Sequence, residues 1–245
     1  MGSWSPDGAL LAISRDYRQE RPGCSHQIQS DLVTFSPEVG GALRLTDTLN
    51  RWEYNPAWSP DGSMIAFSRT RGDGNGAIWI VEADGSDPRR VTDPPGSKGD
   101  WHPAWSPDGS TIVFFRQGAS DAEIWSVAPD GSALTRLTTN DTENYDPDWA
   151  PNGTRIVCTR FVDGTNQVFT MTADGGDEQH LTFGDRQSLT PAYSPDGSMI
   201  VFARGKSPFA TDLWTMNTDG TGRERLTAFA GEFGASEPSW QPVTP

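Results

Sequence analysis

One short pattern recurs along the whole chain and constrains its fold more than any other feature. An aromatic residue, here called the anchor, is followed by Ser-Pro-Asp-Gly or a close variant at residues 4–8, 58–62, 105–109, 149–153 and 193–197, with a remnant at 238–242. The anchors lie 54, 47, 44, 44 and 47 residues apart. This period is typical of a four-stranded propeller blade, whereas helical repeats would require long amphipathic helices.

Each of the five repeats, here called units one to five, predicts four short strands, A to D. In unit two we expect strands at residues 55–59, 64–69, 78–82 and 89–92. The Ser-Pro-Asp-Gly turn joins A to B, because proline presets φ, aspartate accepts local backbone hydrogen bonds and glycine supplies a positive φ. Strand B is apolar on both faces, as a strand packed between neighbouring blades must be.

These patterns predict an all-β fold, a β-propeller of four-stranded antiparallel blades with five complete blades and a C-terminal strand remnant. Residues 1–245 are expected to form one domain. Its repeated sequence, Pro-x-Trp-Ser-Pro-Asp-Gly followed by Ile-Ala-Phe-like and Ile-Trp-Val-like strands and Arg-Arg-Leu-Thr, resembles the TolB-like β-propeller repeat, a WD40-like repeat. The resemblance covers nearly the whole chain.

The closure of the ring has two interpretations. TolB-type relatives have six blades, so the chain could be a ring whose missing strands lie upstream of Met1, a domain truncated at its N-terminus. Alternatively, five blades close on themselves, and residues 237–243 pair with blade one. The first interpretation is slightly favoured, because Trp4 already occupies the anchor position that Trp240 would otherwise fill.

Charge and hydropathy exclude several classes of function. Nineteen Lys and Arg against 33 Asp and Glu give a net charge of -14, which would repel a nucleic-acid backbone. No run of 18 apolar residues occurs, so we expect no membrane insertion. The N-terminus lacks the features of a signal peptide, although the family resemblance implies a periplasmic or extracellular protein. We expect a monomer, and free thiols at Cys24 and Cys158.

An arginine ends strand B in every unit, eleven residues after the anchor. Three units carry an acid just before strand C, where a hairpin would place it opposite this arginine. We therefore predict structural ion pairs and not a functional ring of cations. Ala77 and Gln167 replace the acid in units two and four. The arginines are Arg15, Arg69, Arg116, Arg160 and Arg204, and the acids are Asp31, Glu123 and Asp212.

Two further sets of repeated residues are interpreted as structural. The turn aspartates are expected to bond the backbone, since Asn152 replaces aspartate in unit four and can do the same. The recurring tryptophans of strands A and C are expected to pack between blades. The two sets are Asp7, Asp61, Asp108 and Asp196, and Trp58, Trp79, Trp105, Trp125, Trp149 and Trp214.

Polar and aromatic residues that vary between units precede the strand-A proline. Because strand A lines the central channel of a propeller, we expect them to converge near one channel mouth, where a ligand or partner peptide would bind. Solvation of an ordinary polar funnel would explain the same residues. The predicted binding residues are Glu53, Tyr54, Asn55, Asp100, Trp101, His102, Asn144, Tyr145, Asp146, Thr190 and Glu237.

No catalytic residue, metal site or cofactor is predicted. The histidines His26, His102 and His180 fall in different parts of the repeat, so a three-histidine site is not expected. Acidic residues near the mouth keep Ca²⁺ as an alternative, but the loops lack the D-x-[DN]-x-[DN]-G signature.

The resemblance implies a non-enzymatic scaffold that presents its channel mouth and loop face to a protein or peptide partner. The alternative is the substrate-gating propeller of a prolyl-oligopeptidase-like hydrolase. Its catalytic domain would have to lie outside this chain, because no G-x-S-x-G elbow occurs here. A propeller polysaccharide lyase would need several converging His or Arg residues and a metal, and His102 alone gives it little support.

Overall fold

A computed structural model describes residues 2–19, 27–70, 75–118, 121–228 and 234–242, and these contain twenty β-strands and no helix. Cys24 and His26 lie outside the described residues. The strands are β1 Gly2–Trp4, β2 Leu11–Gln19, β3 Gln27–Phe35, β4 Ala42–Arg44, β5 Trp52–Trp58, β6 Met64–Thr70, β7 Gly76–Glu82, β8 Arg89–Arg90, β9 Gly99–Trp105, β10 Ile112–Gln117, β11 Ala122–Val127, β12 Thr135–Arg136, β13 Asn144–Trp149, β14 Arg155–Val162, β15 Thr165–Thr172, β16 Gln179–His180, β17 Gln187–Tyr193, β18 Met199–Ser207, β19 Ala210–Asn217 and β20 Glu224–Arg225.

The strands pair antiparallel with their neighbours in sequence, as the repeat predicts. Units three, four and five each form a separate four-stranded sheet. Units one and two form one eight-stranded sheet, because a single parallel bridge between Ser30 and Trp52 joins them. The prediction of an all-β fold built from four-stranded antiparallel sheets is confirmed. In unit two, strands A and C begin two to three residues earlier than expected, and strand D is shorter.

The Ser-Pro-Asp-Gly turn has the hydrogen bonds that its sequence predicts. Asp108 accepts from the Ser106 hydroxyl at 2.6 Å and from the Ser110 N–H at 3.0 Å. These bonds stabilise the carboxylate and lower the pKa of Asp108 to about 2. Asn152 accepts the Thr154 N–H at 3.0 Å in the same way, so the structural interpretation of the turn residues is confirmed.

The hydrophobic core lies between successive units. Each apolar cluster combines strands C and D of one unit with the anchor and strand B of the next. In one of them, Ile78 and Ile80 of unit two pack with Trp105 and Phe114 of unit three. Trp58, Trp105 and Trp149 of strand A are buried, and Trp79, Trp125 and Trp214 of strand C pack partly buried against the clusters. The predicted packing of these tryptophans between units is confirmed.

Residues 234–242 contact both the fifth and the first unit. The Trp240 indole N–H donates to the Ala192 carbonyl at 3.3 Å, just as the Trp105 indole donates to Ala57 at 3.1 Å. The Gln241 amide donates to the Gly8 carbonyl at 3.3 Å. The segment contains no strand, so it does not pair with β1 as a sheet.

Within the described ranges, no helix has the length and apolar character that crossing a membrane requires. Cys158 is buried and free, and burial raises the pKa of its thiol to about 12.

Candidate binding site at the channel mouth

Strand A changes register at the residue before its proline. The pairing with strand B shifts between Tyr54 and Ala57, and at the equivalent positions of units three, four and five. This is a β-bulge, which redirects side chains and interrupts the ladder where proline cannot donate. The residue before the proline has a positive φ in every case: 54° for Asn55, 53° for His102, 50° for Asp146, 47° for Thr190 and 56° for Glu237.

Hydrogen bonds to neighbouring units hold this unusual backbone. The His102 N–H donates to the Ser68 hydroxyl at 3.2 Å, and the Thr190 N–H donates to the Thr159 hydroxyl at 3.1 Å. Ser68 and Thr159 are fully buried on strand B of the preceding unit. A left-handed conformation is costly for residues other than glycine and persists only where the surroundings enforce it. The bulges are therefore fixed features that present unlike side chains in one geometry.

Two cavities lie along the axis around which the units are arranged. The first, here called the channel cavity, has a volume of about 230 Å³ and is lined by strand A of all five units and by residues 238–240. The second, here called the mouth cavity, has a volume of about 430 Å³. It is lined by Ser14, Tyr54, Asn55, Trp101, His102, Phe115, Gln117 and Glu237.

A close contact between His102 and Asp146 lies where the two cavities meet. His102 Nδ1 lies 3.0 Å from Asp146 Oδ1, and the side chains are only 16% and 15% exposed. Burial raises the pKa of Asp146, His102 opposes this shift, and the negative charge of Glu237 adds to it. The carboxylates of Asp146 and Glu237 therefore interact, and this end of the channel favours a cationic group.

Asp148 adds a carboxylate that the sequence reasoning missed. It lines the channel cavity and accepts the Tyr193 N–H at 2.8 Å. Burial raises the pKa of Asp148 to about 6. The signal was present in the repeat, because the residue between the proline and the anchor is alanine at positions 57, 104 and 192.

Three of the predicted mouth residues lie in the interior instead. Glu53, Asp100 and Asn144 are fully buried and therefore do not line the channel mouth. Each bonds the strand-B arginine sixteen residues later: Arg69 Nε lies 2.8 Å from Glu53, Arg116 Nε lies 2.6 Å from Asp100, and Arg160 Nε lies 2.7 Å from Asn144. Two of these side chains are charged and one is neutral, but each accepts a hydrogen bond from the strand-B arginine of its own unit.

The predicted partner of the strand-B arginine is therefore wrong, although the predicted register is right. Asp31, Glu123 and Asp212 do stand opposite Arg15, Arg116 and Arg204. Their carboxylates instead pair with the arginine of strand D in the same unit: Arg44, Arg136 and Arg225. Strand D was assigned no polar role, so this competing partner was overlooked.

The remaining predicted residues lie around the mouth, while the histidines are dispersed. Tyr54, Asn55, Trp101, His102 and Glu237 line the mouth cavity, and His102, Asp146 and Thr190 line the channel cavity. Tyr145 packs edge-on against Phe115, with ring centroids 5.2 Å apart. His180 lies in β16, stacked on Phe169. Among the described residues, no three His, Cys, Asp or Glu side chains are grouped closely enough to hold a metal ion.

Comparison with known proteins agrees with this architecture. The family described as the TolB beta propeller domain matches residues 2–244. An uncharacterised protein of Agrobacterium fabrum is 35% identical over 98 residues, which are 40% of this chain and 29% of that protein. The Tol-Pal system protein TolB 1 of Novosphingobium aromaticivorans is 37% identical over 65 residues, 26% of this chain and 14% of that protein.

Matches to other proteins are partial in sequence but extensive in fold. An uncharacterised peptidase of Bacillus subtilis is 28% identical over 93 residues, 38% of this chain and 13% of that protein. The matched part thus spans less than a third of each of these three curated relatives. A TolB-like structure from Agrobacterium tumefaciens superposes with a TM-score of 0.81 at 24% identity, covering 98% of this chain and 85% of its own. A puromycin-hydrolysing peptidase of Mycobacterium tuberculosis gives a TM-score of 0.72 at 16% identity, and the match covers 91% of this chain and 37% of the peptidase chain.

Proposed function

Because the chain belongs to the TolB β-propeller domain family, we propose that it binds a protein or peptide partner at the mouth cavity and catalyses no reaction itself. One observation carries the proposal. Five residues of different chemistry, Asn55, His102, Asp146, Thr190 and Glu237, stand before a proline with a positive φ, and each lines the mouth cavity or the adjoining channel cavity. Packing cannot require this variety, because the same backbone geometry recurs with each side chain. A rigid scaffold that displays variable side chains is typical of a recognition surface.

The charges around the opening indicate a basic partner segment. Asp146 and Glu237 lie close enough for each charge to affect the other, and Asp148 lies deeper in the channel. A lysine or arginine side chain entering the channel would relieve this repulsion and pair with the carboxylates. Because such an interaction is electrostatic, its affinity should fall as ionic strength rises.

Selection from a displayed peptide library tests the proposal. We expect enriched peptides to carry Lys or Arg, and the double variant Asp146→Asn, Glu237→Gln to bind them at least tenfold more weakly. The matched control is Glu38→Gln with Asp87→Asn, which removes two charges from exposed positions outside both cavities. Failure to enrich any peptide, or equal weakening by both double variants, would overturn the proposal.

The proposed binding surface also implies how the C-terminal segment takes part in the ring of units. Strand A of the five units and residues 234–242 together supply six positions around the channel, and Trp240 repeats the indole hydrogen bond of Trp105. We propose that this segment occupies the sixth strand-A position of a single domain spanning residues 1–245. The likeness to a Tol-Pal system protein supports a periplasmic location, and the protein is proposed to act as a monomer with no cofactor.

A second candidate function rests on the peptidase relatives. Similarity to a peptidase in sequence and to a puromycin-hydrolysing peptidase in fold supports a propeller that gates a hydrolase domain. In that case the partner would be the hydrolase or its peptide substrate. A G-x-S-x-G elbow in coding sequence adjoining these 245 residues would favour this candidate.

A further inference from the structure

Unit two lacks an acid that three other units have. On strand C, units one, three and five carry Asp31, Glu123 and Asp212, and each pairs with the strand-D arginine of its own unit. In unit four, Gln167 stands in place of the strand-C acid and His180 in place of the strand-D arginine. Unit two keeps the arginine, Arg90, but has Ala77 in place of the acid. Unit two alone therefore keeps the strand-D arginine without the strand-C acid.

A cavity of about 170 Å³ lies at this place. Its lining includes Ala77, three arginines (Arg51, Arg69 and Arg90), the Trp79 ring and the Asp93 carboxylate. Arg90 pairs with Asp93 at 2.6 Å, but the Asp93 side chain is 86% exposed. An ion pair so exposed to water contributes little and is readily exchanged.

The hydrogen bonds of Arg69 are also incomplete. Its side chain is only 6% exposed, and its Nε donates to Glu53 Oε1 at 2.8 Å. Its Nη2 lies 2.7 Å from the same oxygen but outside hydrogen-bonding geometry, and makes no hydrogen bond among the described residues. The other Glu53 oxygen is bonded by Thr46 of unit one. Arg116, at the equivalent position, bonds both oxygens of Asp100 at 2.6 and 2.8 Å.

A buried guanidinium N–H without an acceptor is unfavourable, and the planar fork of arginine matches a carboxylate in shape. We propose that the cavity binds a carboxylate from outside the chain, held by Arg69 and Arg90 in the place of the missing strand-C acid. Arg51 adds a third positive charge. The site shares no residue with the channel and mouth cavities, so it is independent of the function proposed above.

The carboxylate could belong to a free small acid or to a peptide, and titration calorimetry distinguishes the two. The probes are sodium succinate and a short neutral peptide with its C-terminus either free or amidated. We expect saturable binding of succinate with one site per chain. Tighter binding of the free-ended peptide than of succinate would assign the site to a peptide terminus, and tighter binding of succinate would assign it to a small acid. Absence of saturable binding by every carboxylate probe would overturn the proposal.

Three variants make the assignment specific. Ala77→Glu restores the acid of unit three and should abolish binding without lowering the melting temperature, and Arg90→Gln should weaken binding at least tenfold. Conversely, Glu123→Ala removes the partner of Arg136 in unit three, but Arg116 there already bonds both oxygens of Asp100, so the stoichiometry should stay at one. Unchanged affinity in Ala77→Glu, or displacement of succinate by equimolar sulfate, would overturn a carboxylate site here.

Discussion

The strand-B arginine links three strands through two kinds of contact. Arg116 bonds Asp100 of strand A, and its guanidinium carbon lies 4.7 Å from the ring centroid of Trp125 on strand C. Arg69 and Arg160 repeat the arrangement over Trp79 and Phe169, at 4.3 and 4.4 Å. The planar guanidinium accommodates both an ion pair in its plane and a ring against its face, which a lysine ammonium could not do. This explains the arginine at this position in units two, three and four.

The raised pKa of Asp148 makes the folding stability of the protein depend on pH. Its pKa is raised to about 6, above the usual 3.8, so the folded state binds a proton that the unfolded state has lost. The contribution of Asp148 to stability therefore falls as pH rises from about 4 to about 6, and stays low above that. We expect Asp148→Asn, which keeps an acceptor for the Tyr193 N–H, to be more stable than the parent at pH 7 by about 1–2 kcal/mol, because solvent in the cavity reduces the full shift.

Urea unfolding between pH 4.5 and 7.5 measures this prediction. The stability difference should vanish near the acidic end. Asp108→Asn provides a control, because the pKa of Asp108 is lowered to about 2 and its contribution is lost only as pH falls from about 4 towards 2, so its stability difference should stay constant between about pH 4.5 and 7.5. A gain for Asp148→Asn that is the same at every pH would show that Asp148 is already ionised in the folded protein.

At the scale of the element, each unit closes its C–D turn against the unit before it. The turn glycines have positive φ, and a Cβ atom at Gly85, Gly131, Gly175 or Gly220 would meet, at 2.3–2.9 Å, the carbonyl oxygen of the residue that follows strand D in the preceding unit. Glycine is thus required twice, by its own backbone conformation and by the close approach of its neighbour. The spacing between units is set partly at these turns.

Gly175→Ala tests this double requirement, with Gly164→Ala as its matched control. Gly164 has a similar φ, 84° against 88°, but nothing lies within 4 Å of its added Cβ, whereas Gly175 would meet the Leu137 carbonyl oxygen at 2.3 Å. We expect Gly164→Ala to cost about 1 kcal/mol, and Gly175→Ala to cost about 2–4 kcal/mol because overpacking adds to backbone strain. Equal losses in chemical denaturation would mean that the turn does not touch its neighbour.

The strands, turns and inter-unit core were predictable because the same pattern of apolar, turn and aromatic residues occurs in all five units. Alternation, turn chemistry and aromatic spacing are local and reinforce one another. The bulge at residue 102 or 146 was not predictable, because the sequences His-Pro and Asp-Pro do not reveal a positive φ. The burial of Glu53 and Asp100 was missed for a related reason, since only the register shows which of two acids reaches the arginine.

At the scale of the whole molecule, stability comes from stacking one unit on the next. Every apolar cluster is shared by two units, so no unit buries its core alone. In a linear stack the two end units would be the least protected, because each has one neighbour. Here residues 234–242 bond Ala192 of unit five and Gly8 of unit one, which would give both end units a second neighbour.

Deletion of residues 235–245 is therefore expected to destabilise two units that are distant in sequence. Amide protection measured by hydrogen exchange should fall in β1 and in β17 together, since the segment contacts the turn after β1 and the anchor end of β17. Deletion of residues 243–245 is the control, because it leaves Trp240 and Gln241 in place. If protection fell in β17 while β1 kept its full value, the segment would stabilise unit five alone and would not join unit five to unit one.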